Sequence, residues 1–329
     1  MSETSTAAIA APKRPGLKSH RFGFLLNLTL LALLVVLWIA LSIATDSFAT
    51  FGNFENLLRQ DSMWSIMAVG QTFVIITAGI DLSVGAVVGL TSTIIAMMLA
   101  GGTPIWAAIV ITLIIGVVLG AINAFGIVNL RLPPFIMTLA TMTALRSFGL
   151  LITDGQTVGG LPLKFILFSS HRTLGIPNLF IIVILIAVPC YFLLHRSRWG
   201  RYLFAVGSNP EAARLSGVSV NRTIYLAYIV SALLASVVGV LVASRIGIGV
   251  ATTGQGWELQ SIASSVIGGA SLFGAVGSVI GPLLGAMLLT TINNGANLLN
   301  VNPFWQGIIT GMLIIVIVYF DQLRRRKTR

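Results

Sequence analysis

Apolar runs about as long as a bilayer-crossing helix follow one another along the chain, separated by short polar breaks. A helix rises about 1.5 Å per residue, so roughly 20 apolar residues cross a hydrocarbon core of about 30 Å. On that measure the pattern predicts spans over residues 24–45, 63–80, 83–100, 104–128, 134–153, 177–195, 223–244, 258–273, 278–296 and 304–320. The first, fourth, sixth, seventh and tenth are the plainest; the others are short or glycine-rich. The expected fold is all-α and polytopic, with about ten transmembrane helices in one domain over 22–322. A disordered tail at 1–21 and a basic tail at 323–329 flank it.

Composition narrows the class. Charged residues are 9% of the 329 and hydrophobic ones 56%, whereas a soluble domain carries roughly 25% charge. An ordinary soluble enzyme, a disordered chain and a fibre are excluded. The single cysteine, Cys190, excludes a disulfide scaffold and a cysteine-built zinc site. Basic residues then set direction. With ten spans and both ends in the cytoplasm, 15 of the 20 Lys and Arg residues fall inside; Arg59, Arg146, Lys164, Arg172 and Arg245 fall elsewhere. That bias follows the positive-inside rule. Asp46, Glu55, Asp61, Asp154 and Glu258 are expected on or near the outer side. The run 24–44 is long for a signal-peptide core, and no small-residue cleavage site follows it. The cluster from Arg324 to Arg329 directly follows a helix-length apolar run, so it reads as a membrane anchor and not as a nucleic-acid site. Residues 154–176, the one long outer segment, are either an interfacial helix or cap over the outer mouth, or a plain connecting loop.

Two apolar stretches are interrupted alike. In the first half Gly79-Ile80-Asp81-Leu82-Ser83 breaks an apolar run; in the second, Gly268-Gly269-Ala270-Ser271-Leu272 does. Gly-Ala-Val follows each, at Gly85 and Gly274. Paired glycine-interrupted segments point to an internal inverted repeat, here with halves of about 63–153 and 223–320; simple close helix packing gives a similar texture. Asp81 is the only charge between Asp61 and Arg131. A carboxylate in hydrocarbon needs a helix N-terminus, a polar partner or water. Capping the following helix is the favoured role for Asp81, with solute contact and gating as the alternatives. Gln71, Thr72, Thr77, Asn123, Thr138, Thr141, Asn293, Asn294 and Gln306 also lie deep in predicted spans. Each alone reads as a helix–helix hydrogen bond; together they suit a narrow route for a neutral hydrophilic solute. There are no rings of like charge of the kind that serve ion channels. No phosphate-binding GxxxxGK loop, HExxH motif or carboxylate pair within one span is present, so no enzyme chemistry is expected.

The loop 196–222 is too polar to span. Ser208 or Asn209 is placed to cap a short helix that starts near Pro210, carries Glu211 in its first turn and ends at Gly217. Such a helix is either a lever for a partner or an interfacial helix resting on lipid.

Several motifs here resemble the permease subunits of bacterial ABC importers of the ribose/xylose/galactose group, related to the branched-chain amino acid permeases. They are Ala68-Val69-Gly70-Gln71-Thr72 followed by Gly79 to Gly85, Gly200-Arg201, Gly207 to Gly217, Gly268 to Gly274, and Asn293-Asn294-Gly295. The likeness runs from about residue 20 to 320. It departs from some members at Ser271-Leu272-Phe273-Gly274-Ala275, where their glycine loop is more charged. The resemblance implies a vitamin B12 importer-like (type II) fold in the bacterial inner membrane. It implies a second permease subunit, identical or homologous, a cytoplasmic ABC ATPase, possibly with two cassettes in one chain, and an extracytoplasmic sugar-binding protein. ATP and Mg2+ would be bound by the ATPase and no cofactor by this chain. Asn209, Pro210, Glu211, Ala212, Ala213, Arg214, Leu215 and Gly217 match the family's ATPase-coupling helix. Gln71, Thr72, Asp81, Asn123, Asn293 and Asn294 are the pore or gate candidates. The cargo would be a pentose or hexose such as ribose, with polyols, a furanose signal or a nucleoside as alternatives; an ion-coupled secondary transporter is the rival mechanism.

The charge asymmetry generates a direct test. With Cys190→Ser as background, a membrane-impermeant maleimide added to intact spheroplasts should label Lys164→Cys and not Arg201→Cys. The reverse pattern would invert the topology.

Overall fold

The computed structural model describes residues 17–302 and, beyond them, scattered positions from 304 to 322. The helices are α1 Leu17–Ala44, α2 Phe51–Ile76, α3 Val84–Ala100, α4 Ile105–Val128, α5 Pro134–Leu151 and α6 Leu163–Ser170. After the antiparallel pair β1 Arg172–Thr173 and β2 Ile176–Pro177 come α7 Asn178–Tyr191, a π-helical turn Phe192–Arg196, α8 Arg198–Ser208 and α9 Pro210–Leu215. The last three are α10 Val220–Ile246, α11 Trp257–Ile267 and α12 Ile280–Leu298. Five stretches, Leu25–Ala44, Ile105–Val128, Pro134–Leu151, Asn178–Arg196 and Val220–Ile246, are long and apolar enough to cross a membrane. The chain is therefore an all-α, multi-pass membrane protein.

Local chemistry sets the helix ends. Pro104, Pro133 and Pro177 occupy the positions just before α4, α5 and α7, where the fixed φ suits a helix start and the missing N–H costs nothing. Gly247 closes α10 with φ +76°, a left-handed conformation that suits a residue without Cβ.

The long helix α10 is the centre of the bundle, packed on α2, α3, α4 and α6. Small residues bring the backbones together: Gly116 and Gly120 of α4 lie against Ser236 and the Tyr228–Ile229 backbone, Gly70 of α2 against Ser231 and Leu234, and Gly239 of α10 against Val88 and Thr91. Lipid tails give no hydrophobic drive between helices, so close packing of this kind holds the bundle. Phe73, Val74, Val87, Leu179, Tyr228 and Val238 fill its core. Val36, Ile114, Val118 and Leu185 point outward, as a lipid-facing surface requires.

The two ends of the bundle differ. At the cap end, α6 and β1–β2 fold over the helices: Ser244 Oγ donates to Phe165 O, and Glu55 takes charge-assisted hydrogen bonds from Arg59 and Arg172. Residues 154–176 thus form a folded element rather than a bare loop. The opposite end carries α8 and α9.

Several expectations change. The first helix starts at Leu17, inside the tail expected over 1–21. The second starts at Phe51 rather than 63, because Thr50 caps it by accepting the Asn53 N–H. That start puts Asp61 inside the bundle, buried, instead of on the outer side. The expected span 258–273 stops at Ile267, since Gly269 takes φ +89° and the chain runs non-helically to Val279. Glu258 is also buried, because residues 249–254 turn back along α3 before α11 begins. The polar loop 196–222 holds two helices where one was expected. The expected span 304–320 and the basic tail fall outside the continuously described residues.

A Cβ on Gly120 would sit 2.5 Å from Tyr228 O, whereas one on Gly52 meets nothing within 4 Å. Gly120→Ala should therefore lower thermal stability in detergent by about 1–3 kcal/mol through overpacking. Gly52→Ala should be neutral or slightly stabilising, by helix propensity.

Candidate gate and coupling elements

Where α2 ends at Ile76 and α3 begins at Val84, the chain crosses the bundle interior without helical hydrogen bonds, and side chains replace them. Asp81 Oδ1 accepts the Ser83 N–H at 2.9 Å and the Ser83 hydroxyl at 2.6 Å. Its Oδ2 accepts the Ser231 hydroxyl of α10 at 2.9 Å. Asn123 of α4 donates to Ser83 Oγ at 2.8 Å, and Thr138 of α5 donates to Ile80 O at 3.2 Å. Gln71 of α2, with its amide oriented to satisfy both groups, donates to Asp81 O and accepts from Asp81 N, each at 3.2 Å. One non-helical turn is thus held by four helices besides its own α3. Asp81 and Ser83 are fully buried, and a buried polar group is tolerable only when hydrogen-bonded.

The other candidates have different settings. Thr72 returns its hydroxyl to Ala68 O, and its methyl faces Gly277. Asn294 exchanges two hydrogen bonds with Asn53, at 2.8 and 3.1 Å, and so ties α12 to the start of α2 at the cap end. Asn293 is half-buried, and its side chain makes no hydrogen bond among the described residues. Gln71, Asp81 and Asn123 come together in one network; Thr72, Asn293 and Asn294 are not part of it.

On the far side of the knot, three segments meet. The Ala275 N–H donates to Ile76 O at 2.9 Å, and Gly207, in the last turn of α8, lies directly against both. A Cβ on Gly274 would touch Gly207 O and Ala78. Ala78 and Ala275 both adopt φ +60°, a conformation that costs an L-residue about 1–2 kcal/mol. The first helix break, the second break and α8 therefore share one strained junction.

From that junction α8 leads into α9. Ser197 caps α8 by accepting the Trp199 and Gly200 N–H groups, and Asn209 caps α9 by accepting those of Glu211 and Ala212 at 3.0 Å. Gly217, φ +81°, ends α9, with Val218 N–H reaching back to Ala213 O. Glu211 and Arg214 pair on the surface. Leu215 is 82% exposed, while Ala213 packs into the chain itself. The outward face of α9 is thus Glu211, Ala212, Arg214 and Leu215. Sequence reasoning missed α8 and the roles of Ser231 and Gly207. For α8 a signal was present: Gly200, Leu203, Val206 and Gly207 recur at helical spacing behind the capping Ser197. For Ser231 there was none, since only the tertiary fold brings it to Asp81.

A multi-pass bundle with a buried helix break, joined to an exposed and capped short helix, fits a membrane permease subunit. The chain belongs to the family described as branched-chain amino acid transport system / permease component, whose model matches residues 53–318. It is 37% identical to a probable ABC transporter permease protein of Sinorhizobium fredii over 98% of both chains. It is 40% identical to the ribose import permease protein of Bacillus subtilis, over 88% of this chain and 90% of that one. The D-allose transport system permease protein of Escherichia coli is 36% identical over 90% and 91%. No solved structure matches the chain.

The knot makes separable predictions for Asp81. Asp81→Asn keeps an acceptor for the Ser83 N–H and should fold with near-normal stability. Asp81→Leu strands three buried donors, at about 1–3 kcal/mol each, and should sharply reduce the monodisperse yield from size-exclusion chromatography. A wild-type yield of Asp81→Leu would remove the structural role.

Proposed function

We propose that this chain is the non-catalytic, pore-forming permease subunit of an ATP-driven importer for a neutral monosaccharide, a pentose or hexose of which ribose is the leading case. The family and the printed names of the ribose and allose permeases support the sugar class. The observation that carries the mechanism is the junction at Gly207, where α8, which leads into the exposed α9, touches both helix breaks. A partner ATPase that displaces α9 moves α8, and α8 bears on the ends of α2 and of the 268–279 segment. The pore then shifts between outward-facing and inward-facing states, with the ATPase biasing the equilibrium.

In this reading α8 and α9 face the cytoplasm together with both termini, as the basic residues from Arg196 to Arg222 favour. The cap end faces the periplasmic or extracellular side, where a sugar-binding protein delivers cargo. A second permease subunit completes the pore. The breaks at 77–83 and 268–279 pack on one another within a ten-span, B12-importer-like fold whose halves, about 63–153 and 223–320, are inverted repeats. Thr72, Asn293 and Asn294 remain pore candidates, while Gln71, Asp81 and Asn123 set the gate's geometry.

One observation favours a second reading. Asp61 is a second carboxylate inside the bundle, accepting the Ser65 hydroxyl at 2.9 Å and facing Thr290 Oγ1 at 3.4 Å, and buried carboxylates serve ion-coupled carriers. Uptake by proteoliposomes containing the chain, an ATPase and a binding protein separates the two mechanisms. The importer requires ATP on the α9 side and tolerates ionophores; an ion-coupled carrier needs no ATP and stops when the gradient collapses.

The docking face gives a sharper prediction. Leu215→Asp places a charge on the most exposed apolar residue of α9 without touching the buried side. It should leave the subunit folded, reduce ATPase co-purification at least tenfold and abolish stimulation by loaded binding protein. Full recovery of both would return α9 to a lipid-resting role.

A further inference from the structure

Two charged side chains meet at mid-depth in the bundle without closing on each other. Arg146 Nη2 of α5 and Glu258 Oε1 of α11 are 3.9 Å apart, beyond the 2.7–3.2 Å of a hydrogen bond. Arg146 Nη2 and Glu258 Oε2 have no hydrogen-bond partner, although both atoms are buried and Glu258 is only 8% exposed. Unsatisfied buried charge is costly enough that its persistence calls for an explanation.

The backbone shows where the pair lies. After Gly249 the chain does not stay at the cap end. Gly249 packs against Ser92 and Ala96, Gly89 against Ala251 and Thr253, and Gly254 against Gly85. Residues 249–254 therefore run back along α3, from near its end to its first turn, without forming a helix. Glu258 Oε2 then rests over the Cα of Gly85, where a Cβ would strike it. Gly85 lies four residues beyond Asp81, and Asp81 is bonded to Ser231. Ser231 is 11 residues into α10, about 16 Å along a helix of about 40 Å. The pair thus lies in the middle third of the bundle. Around it Thr252 and Gln255 of the returning segment and Thr143 and Ser147 of α5 are exposed. Irregular backbone and polar side chains at such depth line water or protein, not lipid.

We propose that Arg146 and Glu258 form a hydroxyl-binding station on the solute path, a role that rests on the monosaccharide-importer reading above. The Arg146 and Glu258 side chains keep 23% and 10% of their surface open, and a solute hydroxyl meets the pair on that open side. That hydroxyl accepts from the guanidinium and donates to Glu258 Oε1, while Oε2 stays packed over Gly85. The pair is neutral overall, so it engages an uncharged polyol without favouring anions or cations.

The test uses the full subunit assembled with its ATPase and binding-protein partners in proteoliposomes, with radiolabelled D-ribose, D-allose and D-galactose as probes. Monodisperse elution and co-purification of the ATPase establish that Glu258→Gln and Arg146→Gln are folded and assembled. Sugar moved per ATP should fall at least tenfold. Unchanged flux per ATP in both variants overturns the station while leaving the importer standing. If the wild-type assembly moves none of the three sugars, the importer reading itself fails, and the station with it. A second measurement leaves the pair intact. On a Cys190→Ser background, Gln255→Cys should react with a membrane-impermeant thiol reagent, and transported sugar should slow that reaction at least threefold, while Val118→Cys on the lipid face stays unreactive. An unreactive Gln255→Cys, or a rate indifferent to sugar, overturns the assignment.

Discussion

A bilayer offers no water to a backbone that leaves its helix, and this fold depends on how that constraint is met between Ile76 and Val84. Helical hydrogen bonds stop at α2, and side chains from α2, α4, α5 and α10 take over through Gln71, Asn123, Thr138 and Ser231. Asp81 is the hub because its two side-chain oxygens both accept, and the groups around them are donors. The network fixes four helices relative to one another more tightly than apolar packing would, because rotation of any one strands a buried donor or acceptor. A gate built on it can move as a unit but cannot slip internally.

The remaining polar features follow from the same constraint. At the junction beyond the knot, Ala275 N–H satisfies Ile76 O, a carbonyl that α2 cannot satisfy itself, and this draws the second helix break onto the first. Gly207 brings α8 to the same carbonyl. The exposed α9 is thereby two short rigid steps from the bundle interior, which is the mechanical requirement for a subunit driven from outside the membrane. On the opposite side of the bundle, the returning segment 249–254 exposes polar groups at a depth where lipid cannot receive them. In the proposed importer, a pore between two such subunits would give those groups a place and the Arg146–Glu258 pair a use.

The legible part of this structure was written in local chemistry. The span at 104–128, the Asn209 cap and the Gly217 stop depend on neighbours in sequence, and the break at Gly79–Ser83 announced itself through one charge in an apolar run. What stayed hidden was set at long range. Asp61 and Glu258 read as loop carboxylates near a membrane face. Only the early start of α2 and the return of 249–254 along α3 take them inside, and hydropathy carries no sign of either. Ala213 read as part of a docking face by its place in the motif; its burial comes from how α9 lies on the rest of the chain. Ser231 is an unremarked serine in an apolar helix until the fold sets it opposite Asp81.

The central claim is that α9 and the two helix breaks move as one body while the cap end moves relative to them. Spin labels at Ala212→Cys and Phe273→Cys, on a Cys190→Ser background, report one distance inside that body; labels at Ala212→Cys and Lys164→Cys report its distance from the cap. Pulsed electron–electron resonance on the full transporter, with and without ATP trapped by vanadate, measures both. The account predicts that the first distribution is unchanged by nucleotide while the second shifts. A shift in the first with none in the second would contradict it.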